Sequence, residues 1–240
     1  MTSFYCPICG QRHALPQSDE AFREAQRLFD KVIEHRTIAI FGEGRASMSL
    51  SALSQPGKGK MVGTLHFRNP ATKREGFLYG FSGQFDDAFH LHGYVPAIID
   101  YELMGAHKRA TEAMLDDLGL EIEQTSDSET KRALKERRKR ISQALMQDIF
   151  SLYRPVNRKR RSMKLKEAWS ASSGIPAATG DCCAPKLIQH ANLLNLEILG
   201  IAEIFVGSPR RNSEQRHGAF SEPCIPKCAP LLGAMLCEYA

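Results

Sequence analysis

The sequence predicts a mixed fold of the α/β (α+β) class with a long helical insertion, on the basis of three observations. Two apolar runs, at 60–67 and 76–83, are separated by turn residues, which is the pattern of an antiparallel hairpin. A long charged stretch with helical spacing follows at 107–151. The remainder of the chain predicts a helix (182–195), a strand (197–207) and a short C-terminal helix.

The segment before the hairpin predicts one helix and one short strand. Residues 18–35 place apolar side chains three and four positions apart, and Ser18 or Asp19 is a suitable N-cap. The run "TIAIF" at 37–41 predicts a short strand, and the Gly- and Ser-rich stretch 42–60 predicts a loop.

The middle of the chain predicts two antiparallel helices. Pro96 interrupts any long element before them. Within 107–151 the first half is acidic and the second half is basic, and Ile141, Leu145 and Ile149 recur at helical spacing. A linker is expected at 170–180.

The charge of the chain is distributed unevenly. Between Lys131 and Lys166 there are fourteen basic residues and two acidic ones, a net charge of +12, so the rest of the chain carries −7 of the total +5. Such a patch predicts a nucleic-acid binder, and the alternative is a solvated helical face. The basic residues expected to contact RNA are Arg137, Arg138, Lys139, Arg140, Arg158, Lys159, Arg160, Arg161, Arg210, Arg211 and Arg216.

The cysteines are expected to bind metal. The longest apolar stretches are too short to span a bilayer, and the first residues lack a signal-peptide pattern, so we expect a cytoplasmic protein with no membrane partner. In a reducing compartment, clustered cysteines bind metal or do chemistry more often than they form disulfides, and seven is an odd number.

Three cysteines are spaced for one zinc site. Cys182 or Cys183 begins a helix, while Cys224 and Cys228 are four residues apart, which places them on one side of a helical turn. Three protein ligands with one open position are typical of a catalytic zinc site. We therefore expect Cys182, Cys224 and Cys228 to bind Zn²⁺, with Cys183 nearby as a packing thiol.

This order of elements and cysteines resembles the zinc-dependent cytidine deaminases. In that family, one helix opens with [HC]-x-E and the next with P-C-x-x-C. The stretch "GDCCAP" at 180–185 is similar to the G-x-C-x-E-P variant, and "PCIPKC" at 223–228 stands at the place of the second motif. The resemblance implies a three-layer sandwich over 18–240, with a basic helical insertion at 105–168.

A closer resemblance is to the domain that precedes the catalytic domain in some large RluA-type pseudouridine synthases. That domain carries G-K-M-x-G-x-L, G-F-L-x-x-F-S-G, G-[DE]-C-x-A-P-K-L-L, A-E-F-W-W-G-x-S-P and C-x-x-K-C-x-P-[IL]-L-G-x-M-L. The counterparts here are Gly59–Leu65, Gly76–Gly83, Gly180–Ile188, Ala202–Pro209 and Cys224–Leu236, so that the resemblance covers roughly 59–240. It implies editing of cytidine in tRNA as a first step towards pseudouridine, and a pseudouridine synthase as a partner.

The chain departs from the deaminase motifs in two places. The cysteine pair has three residues between its members, and Ala184 stands where the catalytic Glu is expected. Because deamination needs a general acid and base, Asp181 or Glu203 would have to supply it. Asp181 is an equally good helix N-cap, and Glu203 could instead pair with Lys186 or Arg210.

Two functions remain open. The first is a zinc-dependent RNA cytidine deaminase, a hydrolase acting on C–N bonds. The second is a non-catalytic zinc-binding module that recognises RNA, in which Cys183 or His217 closes the metal site as a fourth ligand.

A second zinc site is predicted at the start of the chain, where "CPICG" at 6–10 has the form of a zinc knuckle within 1–17. Cys6, Cys9 and His13 are its candidate ligands, and His35 or Cys237 could be the fourth. The alternative is an exposed terminus.

Overall fold

The computed structural model describes residues 2–86, 88–211, 213–225 and 227–239. The chain divides into two compact units. The first contains the residues up to Ile98 and those from Pro155 onward, and the second is Ile99–Arg154. The predicted insertion at 105–168 therefore overlaps the second unit, but its residues 155–168 belong to the first.

The first unit is built on a four-stranded antiparallel sheet. Its strands are β3 (Lys60–Arg68), β4 (Glu75–Phe81), β5 (Glu197–Val206) and β6 (Phe220–Ser221), in the spatial order β4-β3-β5-β6. The predicted hairpin is confirmed as β3 and β4, and the later predicted strand as β5. The two-residue strand β6 carries no sequence signal that predicts it.

Helices cover both faces of this sheet. On one face lies α1 (Asp19–His35), which Ser18 caps by accepting a hydrogen bond from the N–H of Ala21. Thr64 of β3 donates to the Ala21 carbonyl, and Tyr79 of β4 donates to Glu24. On the other face lies α6 (Cys183–Leu193), whose first turn packs on the glycines of β3 and β4. The α+β class predicted from the sequence is confirmed.

The glycines under α6 leave room for its first residue. Gly63 pairs with Gly80 on one side and with Glu203 on the other. A Cβ atom at Gly63 would lie 2.9 Å from the Cys183 sulfur and 2.8 Å from the Ala202 carbonyl oxygen, and one at Gly80 would lie 3.1 Å from the same sulfur. The close approach of α6 to the sheet therefore requires residues without side chains at both positions.

We expect Gly63→Ala to destabilise the protein by about 1–3 kcal/mol, because an added methyl group overpacks this contact. Chemical denaturation measures the change in the free energy of unfolding. Gly174→Ala is the matched control in the same unit, since a Cβ atom there meets nothing within 4 Å. Equal stabilities of the two variants would contradict the packing argument.

The ends of the chain add a second, smaller sheet and the last helices of the first unit. Strands β1 (Ser3–Tyr5) and β2 (Arg12–Ala14) form an antiparallel hairpin. The short helices are α2 (Leu50–Leu53), α5 (Leu165–Ala168) and α7 (Ala229–Met235). Helix α7 packs against β1, α5 and α6.

The predicted strand at 37–41 is wrong. Thr37 forms only an isolated bridge with Ser49, and the N–H of Ile38 donates to the Met48 carbonyl. Ile38 is fully buried in the core beside α1. The apolar pattern that predicted a strand reflects this burial and not a sheet position.

The second unit is a helical hairpin of α3 (Tyr101–Gln124) and α4 (Ser128–Leu152). Asp100 and Asp127 cap the two helices by accepting hydrogen bonds from their first-turn N–H groups. The two predicted antiparallel helices are confirmed, and the first begins six residues earlier than the charged pattern indicated. None of the helices in the described part of the chain combines the length and apolar character that crossing a membrane requires.

Candidate functional site

The structure brings the thiols of Cys182, Cys224 and Cys228 together in the first unit. Cys182 is the N-cap of α6, and Cys228 is the N-cap of α7. The Cys228 N–H donates to the Cys224 carbonyl over 2.9 Å, so these two residues span one helical turn, as their spacing predicts. Each of the three thiols lies close enough to the other two to shift their pKa values.

Backbone N–H groups are directed at these sulfurs. The N–H of Gly180 donates to Cys228, and the N–H of Lys227 donates to Cys224. Hydrogen bonding with Cys182 lowers the pKa of Cys224, and the same contact raises the pKa of Cys182. N–H donors beside neighbouring thiols stabilise the thiolate form, which is the form of cysteine that soft and borderline metal ions prefer.

The two residues considered as a fourth ligand have other partners. Cys183 is fully buried, and its sulfur lies against the backbone at Gly63 and Gly80. His217 accepts a hydrogen bond through Nδ1 from the N–H of Gly207 over 2.9 Å, and its ring packs on Phe29. These contacts give both residues a packing or hydrogen-bonding role in the first unit.

Glu203 lies at the centre of β5 and is 4 % exposed. Its carboxylate accepts a hydrogen bond from the N–H of Ala184, and its Oε1 atom has no partner among the described residues. Strand β5 therefore brings a carboxylate to the first turn of α6.

Among the described residues, no ion pair joins Glu203 to Lys186 or to Arg210. The Lys186 ammonium donates to the carbonyls of Phe81 over 2.9 Å and Gly83 over 3.0 Å. Among the ion pairs of the described residues, none includes Glu203. A buried carboxyl without an ion pair favours its neutral form.

Burial raises the pKa of Glu203 to about 8, from its ordinary value of 4.5. A carboxyl whose pKa is higher in the folded state binds more protons there, so its contribution to stability is present below pH 4.5 and is lost as the pH rises through 8. In metal-free protein we expect the free energy of unfolding to fall across this window by up to about 1.4 kcal/mol per pH unit. Denaturation of the wild type and of Glu203→Gln at pH 5 and pH 8 measures this fall in the free energy of unfolding, which the variant should not show.

Asp181 is placed differently from Glu203. The N-cap of α6 is Cys182, so Asp181 precedes the cap and does not form it. Its backbone carbonyl accepts a hydrogen bond from the N–H of Gly83. Its carboxylate attracts the Lys186 ammonium, whose pKa burial lowers to about 8. Sequence reasoning missed Lys186, because a lysine in an amphipathic helix is ordinarily read as exposed.

A cavity of about 150 Å³ adjoins this site. Glu203 lines it from β5, and Pro223, the residue before Cys224, lines it from the segment after β6. Phe22 and Phe220 also line it, with their ring centroids 5.1 Å apart. The cavity therefore has an apolar and aromatic lining and borders Glu203 and the residue before Cys224.

A second cluster consists of Cys6, Cys9, His13 and Cys237, whose ligand atoms all lie within 4.8 Å of one another. This group could hold a metal ion. The sequence left His35 and Cys237 open as the fourth member, and the structure places Cys237 there. No local pattern links residue 237 to a knuckle at the opposite end of the chain.

The basic residues predicted to contact RNA differ in their exposure to solvent. Arg137, Arg140 and their neighbours at 138 and 139 are exposed on α4, although Arg138 also donates to the Leu115 carbonyl. Of the basic residues predicted to contact RNA, those exposed in the first unit are Lys159, Arg160, Arg161, Arg210, Arg211 and Arg216.

Arg158 differs from these residues because it is half-buried. It donates to the carbonyl of Leu196 and the side chain of Asn192. Its guanidinium therefore has a structural role within the first unit.

The fold and these sites describe an α+β protein with one Cys/His cluster that could hold a metal ion and, separately, three neighbouring thiols close to a buried carboxylate. No protein-family model, curated protein or solved structure gives a significant match to the chain.

Proposed function

We propose that this protein is a zinc-dependent hydrolase that deaminates cytidine to uridine in RNA. The observation that carries the proposal is the buried Glu203 carboxylate, whose Oε1 atom has no partner among the described residues, near the thiols of Cys182, Cys224 and Cys228. The proposed cofactor of both cysteine clusters is Zn²⁺. The proposed substrate is a tRNA, and the product uridine would suit a partner pseudouridine synthase, as the resemblance in the motifs implies.

Zinc fits the first cluster because Cys182, Cys224 and Cys228 offer three sulfur ligands, and thiolate sulfur is a preferred zinc donor. When bound there, zinc would supply Lewis-acid chemistry that makes a water molecule acidic near neutral pH. The N–H groups of Gly180 and Lys227 stabilise the thiolate forms that metal binding requires.

Glu203 supplies the proton transfers. Deamination adds water across the N3=C4 bond of cytosine and releases the exocyclic amine as ammonia, so one proton of the water must reach N3 and the other the amine nitrogen. The Glu203 carboxylate would take each proton from the water oxygen and deliver it, first to N3 and then to the amine. A pKa raised towards the working pH suits a group that serves as base and then as acid.

The cavity beside Glu203 is the proposed site for the base. A base must leave its stack before its C4 atom can be attacked, and flipped or unpaired bases bind between apolar and aromatic side chains. Phe22 and Phe220 offer that surface, and Phe220 is 43 % exposed.

The basic face of α4 is proposed to bind the RNA backbone. We expect Arg137→Gln with Arg140→Gln to weaken RNA binding and to reduce the slope of log K against log salt by about 1.4, since each phosphate contact contributes about 0.7 for single strands. Salt titrations measured by fluorescence anisotropy provide this slope.

The matched control removes two exposed arginines of α1, Arg23 and Arg27, which pair with Glu20 and Glu24. We expect this double variant to keep the wild-type slope. Equal slopes in all three proteins would contradict RNA binding through α4.

The direct test is mass spectrometry of nucleosides from RNA incubated with purified, zinc-loaded protein. Conversion of one cytidine to uridine in tRNA would support the proposal, and unchanged nucleosides in every RNA class would overturn it.

A second candidate function, a non-catalytic zinc module that delivers RNA to a pseudouridine synthase, is favoured by Ala184 at the position of the motif Glu. X-ray absorption at the zinc edge of a variant that lacks the second cluster separates the two candidates. Three sulfurs and one lighter atom favour the deaminase, and four protein ligands favour the module.

A further inference from the structure

The second cluster joins the two ends of the chain. Cys6, Cys9 and His13 come from the hairpin of β1 and β2, whereas Cys237 follows α7 by two residues. Cys6 and Cys237 are fully buried, and the Cys9 sulfur lies 3.2 Å from His13 Nε2. Four ligand atoms converge here from segments that are far apart in the sequence.

Backbone hydrogen bonds and the conformation of Gly10 fix the turn that carries Cys6 and Cys9. The N–H of Cys6 donates to the Gln11 carbonyl over 2.8 Å, and the N–H of Gly10 donates to the Cys6 carbonyl over 3.0 Å. Gly10 has φ of +72°, a left-handed conformation that favours glycine. The N–H of Gln11 also donates to the Cys9 sulfur. Three sulfurs and one imidazole form a closed set of four ligands, which is typical of structural zinc.

The hairpin is packed closely against α7. A Cβ atom at Gly233, in the middle of α7, would overlap the carbonyl of Tyr5 in β1. The carbonyl of Cys237 accepts a hydrogen bond from the N–H of Arg158. The cluster is therefore fixed on one side by β1 and on the other by the segment that ends α7.

Helix α7 carries a ligand of each cluster. Cys228 is its N-cap, and Cys237 lies just beyond its last residue, Met235. Since the helix has only seven residues and little hydrogen bonding of its own, its position depends on its packing and on what holds its ends.

The hairpin also borders the cavity beside Glu203. Thr2 and Leu15, which flank the two strands, line this cavity, and the Leu15 N–H donates to the Thr2 carbonyl. The Thr2 hydroxyl donates to Glu222 over 2.9 Å. A metal ion that holds the hairpin would therefore also hold one wall of the cavity.

We propose that Cys6, Cys9, His13 and Cys237 bind a structural zinc ion that clasps the two ends of the chain and, through α7, fixes Cys228 in the other cluster. The clasp is independent of the deaminase proposal. The coupling through α7 rests on the deaminase proposal, because this coupling requires a metal at Cys182, Cys224 and Cys228.

The test compares His13→Gln with His13→Cys in the full chain, using zinc content by mass spectrometry and the rate at which a chelator removes the remaining zinc. We expect His13→Gln to lose one zinc per chain and His13→Cys to keep it. In His13→Gln the remaining zinc should be released about 10- to 100-fold faster, as when supporting contacts of a metal site are lost. Hydrogen exchange should show faster exchange of the α7 amides.

His35→Gln is the matched control, because His35 is exposed and lies outside the cluster. Loss of zinc in His35→Gln, or a zinc content of His13→Gln equal to that of the wild type, overturns the clasp. Unchanged release rate and unchanged α7 exchange in His13→Gln overturn the coupling. Wild-type zinc content in Cys224→Ser, with one zinc lost in His13→Gln, leaves the clasp standing and overturns both the coupling and the proposed function.

Discussion

Glu203→Gln is expected to lower kcat for cytidine deamination by about 10²- to 10⁴-fold while the zinc content stays at the wild-type value. The amide keeps the size of the side chain and can still accept from the Ala184 N–H, but it cannot carry a proton between water and the leaving amine. Single-turnover kinetics on an RNA that contains the target cytidine measures the effect.

The control for this variant is Glu197→Gln, on the same strand. Glu197 is exposed at the start of β5 and pairs with Arg68, so its neutralisation should leave kcat unchanged. A wild-type rate for Glu203→Gln would show that the carboxyl is not the acid and base. Because Asp181 is the other candidate from the sequence, Asp181→Asn would then be the next variant to measure.

Cys224→Ser is expected to abolish deamination and to lower the zinc content by one per chain. Cys224 is one of three sulfurs at the site and accepts hydrogen bonds from Cys182 and from the Lys227 backbone. A hydroxyl is a poor replacement for a thiolate ligand of zinc, and two sulfurs do not complete the site. Zinc analysis and the nucleoside assay on the same preparation provide both readings.

Cys183→Ala is the companion variant. Its thiol is buried in the first turn of α6, against the glycines of β3 and β4. We expect it to retain zinc and activity with a modest loss of stability. If Cys183→Ala instead loses zinc while Cys224→Ser retains it, the assignment of the ligands is wrong.

Several parts of the fold could be predicted because their signals are local. The helical spacing of 18–35 with Ser18 before it predicts α1 and its cap, and both are confirmed. The turn residues between two apolar runs predict the hairpin of β3 and β4. The strand predicted at 37–41 failed, since a short apolar run has the same composition whether it is paired in a sheet or packed as a buried loop.

The site residues were predicted only in part, because local sequence patterns do not show which side chains meet in the folded protein. The spacing of Cys224 and Cys228 predicts a shared helical turn, which the 2.9 Å hydrogen bond between their backbones confirms. The sequence left Asp181 and Glu203 equivalent, but only Glu203 combines deep burial with an unpartnered oxygen. Arg158 was predicted to contact RNA with its basic neighbours, but its guanidinium donates hydrogen bonds to Leu196 and Asn192 within the first unit.

The sequence by itself determined the class of fold, the main helices and strands, the basic segment and the types of residue available to bind metal. These follow from periodicity, capping and composition, which act over a few neighbouring residues. Only the tertiary structure decided that Cys237 completes the N-terminal cluster and that β5 carries a carboxylate to the first turn of α6. Both depend on the register of β5 beside β3 and on the packing of α7 against β1, which are contacts between distant segments that no local pattern encodes.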